Sequence, residues 1–229
     1  MDGFEKINFL SKWKDISYVL LFCEDSCLIR ILVKPDNYRL ATEYILDSGF
    51  EHINKRTYLK RLHNLIIKLV LKLKRLTHPR ENKFKNIKSY TLPTKIMSFQ
   101  KDGLELIMLN HLAYISPLDK GYLITDQRLV ELFFDNKTKI NSSFYTLSKK
   151  ELLVDMIAFH ILDNFGDISS INKKKIFNLY NDLKNNRQFD DFKVNLEWIF
   201  FKTADVIIEK LDSGSLDHII EDIYSFKNY

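Results

Sequence analysis

The chain has few of the residues that interrupt regular structure. Only 6 Gly and 4 Pro occur in 229 residues, and scarcity of these breakers favours a helix-rich fold with few long loops. Cysteine is nearly absent. Cys23 and Cys27 stand in a C-x-x-x-C spacing with no second pair to complete a zinc site, so the two read as buried thiols in a reducing compartment. No long apolar run is present either. The most apolar stretch, LIIKLVLKL at 65–73, is interrupted by Lys68 and Lys72 and falls far short of the ~20 residues that span a bilayer. The opening MDGFEKINFLSKWKD carries acids and no continuous apolar core, unlike a secretory leader. These absences predict a cytoplasmic protein without a transmembrane segment. The phosphate-loop pattern G-x-x-x-x-G-K, the dinucleotide fingerprint G-x-G-x-x-G and a nucleophile elbow are also missing, which disfavours P-loop, Rossmann and serine-hydrolase chemistry.

What is present is core material and a lopsided charge. Hydrophobic residues make up 45%, with 17 Phe and 11 Tyr, enough to fill one large domain or an α/β domain with a helical extension. The net charge of +5 conceals a segment, 55–88, in which twelve cations face Glu81 alone, an excess of +11 that leaves −6 for the rest of the chain. A basic region on an otherwise acidic protein points to an anionic partner. Within it, Arg61, Lys68, Lys72 and Arg75 line one arc of a helical wheel over 57–76, opposite Leu62, Leu65, Leu69 and Leu73. The full-length period favours a helix there, while the alternation in IKLVLKLK also fits a strand. Aromatic residues interleave with the cations, Tyr58, Phe84 and Tyr90 among them. The segment therefore suits a nucleic-acid backbone, or peripheral contact with an anionic membrane surface, as well as a solvated face.

Element by element, 4–13 reads as a short helix with Asp2 and Glu5 in capping-box spacing. ISYVLLFC at 16–23 and CLIRILV at 27–33, joined by Glu24-Asp25-Ser26, form a β-hairpin. After Pro35, with Asp36 or Asn37 as cap, NYRLATEYILD continues as a helix closed by Gly49, and FEHI at 50–53 follows as a short strand. KIMSFQ and LELIMLNHLAYI pair around Lys101-Asp102-Gly103. Beyond Pro117 the pattern turns wholly helical, over 126–135, 149–164, 172–185, 190–212 and 215–226, with Ser148 and Glu151 as a capping box. The expected organisation is α+β, a mixed-sheet domain with flanking helices over 1–120 and a helical domain over 121–229.

The order of hairpin, "ILVKPDN" leading into a helix, and "YILDSGFE" closing it, followed by "LELIMLNHLAYIS", "KGYLI" and "FYTLSKKELLVDMIAFHILDN", resembles the small uncharacterised members of the nucleotidyltransferase superfamily. The likeness covers most of 16–165. It implies a nucleotidyltransferase-like sheet followed by helices, a nucleoside triphosphate as ligand, and magnesium as cofactor. Such transfer needs divalent metals held by two carboxylates at i and i+2 on one strand, where alternate side chains share a face, and by a third on a neighbouring strand. Laid on this chain, the pair falls on Leu28 and Arg30, and neither side chain is a magnesium ligand. The resemblance therefore implies a catalytically degenerate member, or one whose carboxylates have moved to Glu24, Asp25 and Glu105. In that case these three are the catalytic and metal-binding candidates, with Arg30, Ser26 and His111 contacting substrate. Arg30 fits either a forked anion contact or a pair with an aspartate. Likewise His111 suits a nucleotide contact or a backbone carbonyl.

Two further features stand apart. His160 and Asp163 lie at i, i+3 with Asp155 a turn before and Asp167 just after; this spacing holds a metal only if a second element adds ligands, and otherwise describes a hydrogen-bonded helix histidine. Trp198, Phe200 and Phe201 read as core packing, with a dimer surface as the alternative.

Overall fold

Side chains that alternate along β1 and β2 divide the interior between two faces of one sheet. The computed structural model describes residues 5–22, 27–53, 96–115, 122–125, 127–140, 144–164 and 166–225. β1 (Tyr18–Leu20) and β2 (Leu28–Val33) pair antiparallel with Val19 beside Leu32, so the first expected hairpin forms. β2 runs parallel to β5 (Leu104–Leu109), which turns back on β4 (Ile96–Lys101), which in turn pairs with the two-residue β3 (Glu51–His52). On the other side β1 runs parallel to β9 (Phe144–Thr146), which pairs antiparallel with β8 (Thr138–Ile140). The sheet is thus mixed and seven-stranded, in the order β3-β4-β5-β2-β1-β9-β8.

Ile29, Ile31 and Val33 bury one face of β2 against α1 (Tyr38–Asp47) and the N-terminal 3-10 helix (Glu5–Lys12) with the residue that follows it, meeting Trp13, Tyr38 and Ile45. Leu32, with Val19 and Leu109, buries the other face against the C-terminal helices. These are α2 (Gln127–Asp135), α3 (Lys149–Ala158), α4 (Ser170–Asn185), α5 (Phe189–Phe200), α6 (Ala204–Asp212) and α7 (Ile219–Ser225). Such continuous apolar strands are those covered on both faces. The chain is α+β, and no helix among the described residues is long and apolar enough to cross a membrane.

Local chemistry explains several boundaries. Asp102 and Gly103 both have positive φ, 48° and 78°, the combination that a two-residue turn matching the strand twist requires. Gly49 closes α1 at φ 84°, as the left-handed residue expected there. The caps depart from expectation. Asn37 Oδ1 accepts the Ser17 N–H at 2.9 Å instead of capping α1. Similarly, the Ser148 hydroxyl donates to the Glu151 carboxylate rather than accepting from the helix backbone.

Three expectations are corrected. The region after Pro117 is not wholly helical, because β8 and β9 extend the sheet and β7 (Tyr122–Ile124) pairs with β6 (Ala113–Ile115) in a separate ribbon. The strand expected to run through LELIMLNHLAYI breaks at Asn110-His111, where the chain leaves the sheet. The helix expected over 190–212 is interrupted at Phe201, whose φ is 51°. Strands of three residues carry no long period of their own, which is why they were hidden. The helix expected over 57–76 and the basic loop beyond it lie outside the described residues.

Candidate functional site

The same alternation that buries Leu32 carries Arg30 into the layer between the sheet and α3. Arg30 is 4% exposed, and a buried guanidinium persists only when paired and hydrogen-bonded. Its Nη1 donates to the Phe22 carbonyl at 2.9 Å and lies 3.6 Å from Asp155 Oδ1, while Nη2 lies 3.9 Å from Asp163 Oδ2. The guanidinium also stands over two rings, 4.9 Å from the centroid of Phe159 and 5.7 Å from that of Tyr114, where the ring quadrupoles favour a cation.

Asp155 is the hub. Fully buried on α3, it accepts the Phe22 N–H on Oδ2 at 2.6 Å and the Tyr114 hydroxyl on Oδ1 at 2.7 Å. Burial pushes its carboxyl above the ordinary value, opposed by Arg30, by the Tyr114 hydroxyl and by the Phe22 N–H. Burial likewise pushes the Tyr114 phenol well up, and the Asp155 charge adds to the effect.

α3 continues into a π-helical segment, Phe159–Asp163, a widened turn of the kind often found at functional sites. It brings Phe159 and Asp163 to the guanidinium along with Asp155. His160 is fully buried, with Nδ1 3.2 Å from the Asp167 carbonyl oxygen. Gly166 then ends the segment at φ 82°, its N–H bonding the His160 carbonyl at 2.8 Å.

Among the expected site residues, Glu105 is half-buried on β5 beside Leu28, its N–H donating at 2.7 Å to the carbonyl of Cys27, which is exposed just before β2 instead of buried as expected. Glu24, Asp25 and Ser26 lie outside the described residues, as do Arg61, Lys68, Lys72 and Arg75. Of the two readings of Arg30, pairing with aspartate is the arrangement present. His111 is buried with Nδ1 3.1 Å from the Leu112 carbonyl oxygen, and Nε2 has no hydrogen-bond partner among the described residues. The second element that joins the Asp155, His160 and Asp163 face supplies a cation instead of metal ligands. Leu28 has no donor atom and Arg30 is positive, so the residues at the carboxylate-pair positions do not fit a divalent metal. Among the described residues no cluster of three or more His, Cys, Asp or Glu is placed to hold one.

Tyr114, and Asp155 as the particular aspartate that pairs with Arg30, were missed from the sequence. The signal was a lone charge inside each of two apolar runs, CLIRILV and LLVDMIAF, since charges so placed are seldom buried without a partner. No family model, curated protein or solved structure matches the chain.

Proposed function

We propose that the chain is a catalytically degenerate protein of nucleotidyltransferase-like build, which binds a nucleotide or another phosphorylated partner without transferring a nucleotidyl group. The observation that carries this reading is Arg30 itself. A transferase of that class needs an anion at this strand position to hold magnesium; here a buried cation occupies it, with its charge engaged by Asp155 and Asp163. The hairpin of β1 and β2, and β5 running parallel beside β2 with Glu105 next to Leu28, support the reading, since such a site would need adjoining strands of this kind. Binding is tested by thermal unfolding with each nucleoside triphosphate, with magnesium and with chelator, since a ligand selective for the native state raises Tm. The expected result is a rise in Tm that survives chelation, with no release of pyrophosphate. Magnesium-dependent pyrophosphate release, abolished by Glu105→Gln, would overturn the degenerate reading and favour a relocated carboxylate set.

The excess of +11 over residues 55–88 supports a second reading, a non-enzymatic module that binds nucleic acid. Its affinity for a DNA or RNA oligonucleotide would fall steeply with salt and be lost when Lys68, Lys72 and Arg75 are changed to glutamate. Binding to anionic vesicles in preference to oligonucleotides would instead assign that segment to a membrane surface.

A further inference from the structure

A second concentration of charge lies at the far end of β2. Lys34 follows the last residue of that strand, about 13 Å along it from Arg30 at the usual rise per residue. Lys137, from the turn between α2 and β8, and Lys139, on β8, meet it there through two shared rings. Lys34 Nζ is 5.4 Å and Lys137 Nζ 5.9 Å from the centroid of Phe134, while Lys137 Nζ is 4.4 Å and Lys139 Nζ 5.6 Å from that of Tyr145. Lys137 is half-buried between its neighbours, and Lys34 and Lys139 are exposed.

Gathering ammonium groups costs energy. The ammonium of Lys137 is held below its ordinary pKa first by burial and then by the charge of Lys34, against the pull of Asp135. None of the three lysines makes an ion pair among the described residues. Elsewhere the protein avoids such a cost, since Lys149, Lys150, Lys173, Lys184, Lys193 and Lys210 each pair with an aspartate. The corner also contains a hydroxyl. Ser17 Oγ accepts from Lys137 Nζ at 3.1 Å, which leaves its own O–H to donate.

We propose that this corner is a binding site for the phosphate group of a small phosphorylated ligand, held by Lys34, Lys137, Lys139 and the Ser17 hydroxyl. Three neighbouring cations, with Lys137 beside each of the other two, match a dianion, whereas a monoanionic carboxylate would leave most of their repulsion in place. The site is independent of the Arg30 cluster and uses none of its residues.

The test titrates inorganic phosphate and adenosine monophosphate into the full chain at low ionic strength, followed by calorimetry and by phosphorus NMR. Lys34→Gln with Lys139→Gln is expected to weaken phosphate binding at least tenfold, and Lys137→Gln by a similar factor. Lys174→Gln with Lys202→Gln, an equal loss of charge on other elements, is expected to leave it unchanged. Because Lys34 and Lys139 are exposed, their double variant reports on binding even if Lys137→Gln fails to fold. Equal affinity for the two probes, or tighter binding of the nucleotide with the same lysine dependence, both support the site and distinguish a bare phosphate from a nucleotide as its ligand. Absence of phosphate binding, equal weakening by the two double variants, acetate binding as tightly as phosphate, or binding of a single-stranded oligonucleotide alone would overturn it.

Discussion

Phe22 and Asp155, 133 positions apart, are joined by a 2.6 Å hydrogen bond from the Phe22 N–H to Oδ2 of the carboxylate. The carbonyl of the same phenylalanine accepts from Arg30 at 2.9 Å. One residue just beyond the end of β1 therefore holds both halves of a buried ion pair, and that pair fastens the sheet to α3.

Removing one member of this pair leaves the other charge buried without compensation. Asp155→Ala is expected to lower folding stability by about 3–5 kcal/mol, and the double variant Arg30→Met with Asp155→Leu to recover at least half of that loss. Urea unfolding midpoints at unchanged slope provide the measurement. Additive losses in the double variant would show that the pair is not coupled.

Alkaline pH should unfold the protein through its buried phenols. Tyr18 is pushed from the ordinary value of 10.0 up to about 12 by burial, and burial also raises Tyr38, Tyr114 and Tyr180. A raised folded-state pKa means that the unfolded chain releases protons first. Stability from these groups is complete below the unfolded value near 10, and for Tyr18 is lost as pH rises through about 12. Absorbance at the phenolate band should show these tyrosines ionising together with the loss of helical circular dichroism, above the pH at which exposed tyrosines titrate.

Gly166 and Gly103 offer a matched comparison. Both have positive φ, but a Cβ at Gly166 would lie 2.5 Å from Ile220 Cγ1, while one at Gly103 would meet nothing within 4 Å. Gly103→Ala is expected to cost about 1 kcal/mol from backbone conformation alone, and Gly166→Ala distinctly more, because Ile220 on α7 must give way as well. Thermal unfolding of the two variants decides this.

Phe201 pays a local cost that glycine would not. Its φ of 51° with ψ of −133° is a conformation available chiefly to glycine, and the residue is 59% exposed. Phe201→Gly should therefore raise stability by about 1 kcal/mol, the strain relieved exceeding the added entropy of the unfolded chain. A lower Tm in that variant would mean that the ring contributes to packing. The core packing expected for Trp198, Phe200 and Phe201 is thus corrected for Phe201, which is exposed, while Phe200 is buried and Trp198 is half-buried under the guanidinium of Arg128 at 5.1 Å.

Much of the architecture was legible in the order of residues. The runs at 16–23 and 27–33, the Asp102-Gly103 turn and Gly49 each act over a few positions, and β1–β2, β4–β5 and α1 formed where their period and punctuation placed them. Residues 138–146 were silent by comparison. β9 joins the sheet through β1, more than a hundred positions away, and three residues are too few to show an alternation. The candidate site divides the same way. Arg30 could be singled out from its place in the strand, and Asp155 and His160 from their place on a helix, but nothing in either stretch named the other.

The sequence by itself determined the longer strands and helices, the turns at Gly49 and Asp102-Gly103, and that the charge is concentrated in a few places, because propensity, periodicity and composition operate at short range. Only the tertiary structure decided that Arg30 meets Asp155 and that Lys34 meets Lys137. Both encounters depend on the twist and order of the sheet and on how a helix lies across it, and a charge is stabilised or strained by whatever the fold brings within a few ångströms of it, however far away along the chain.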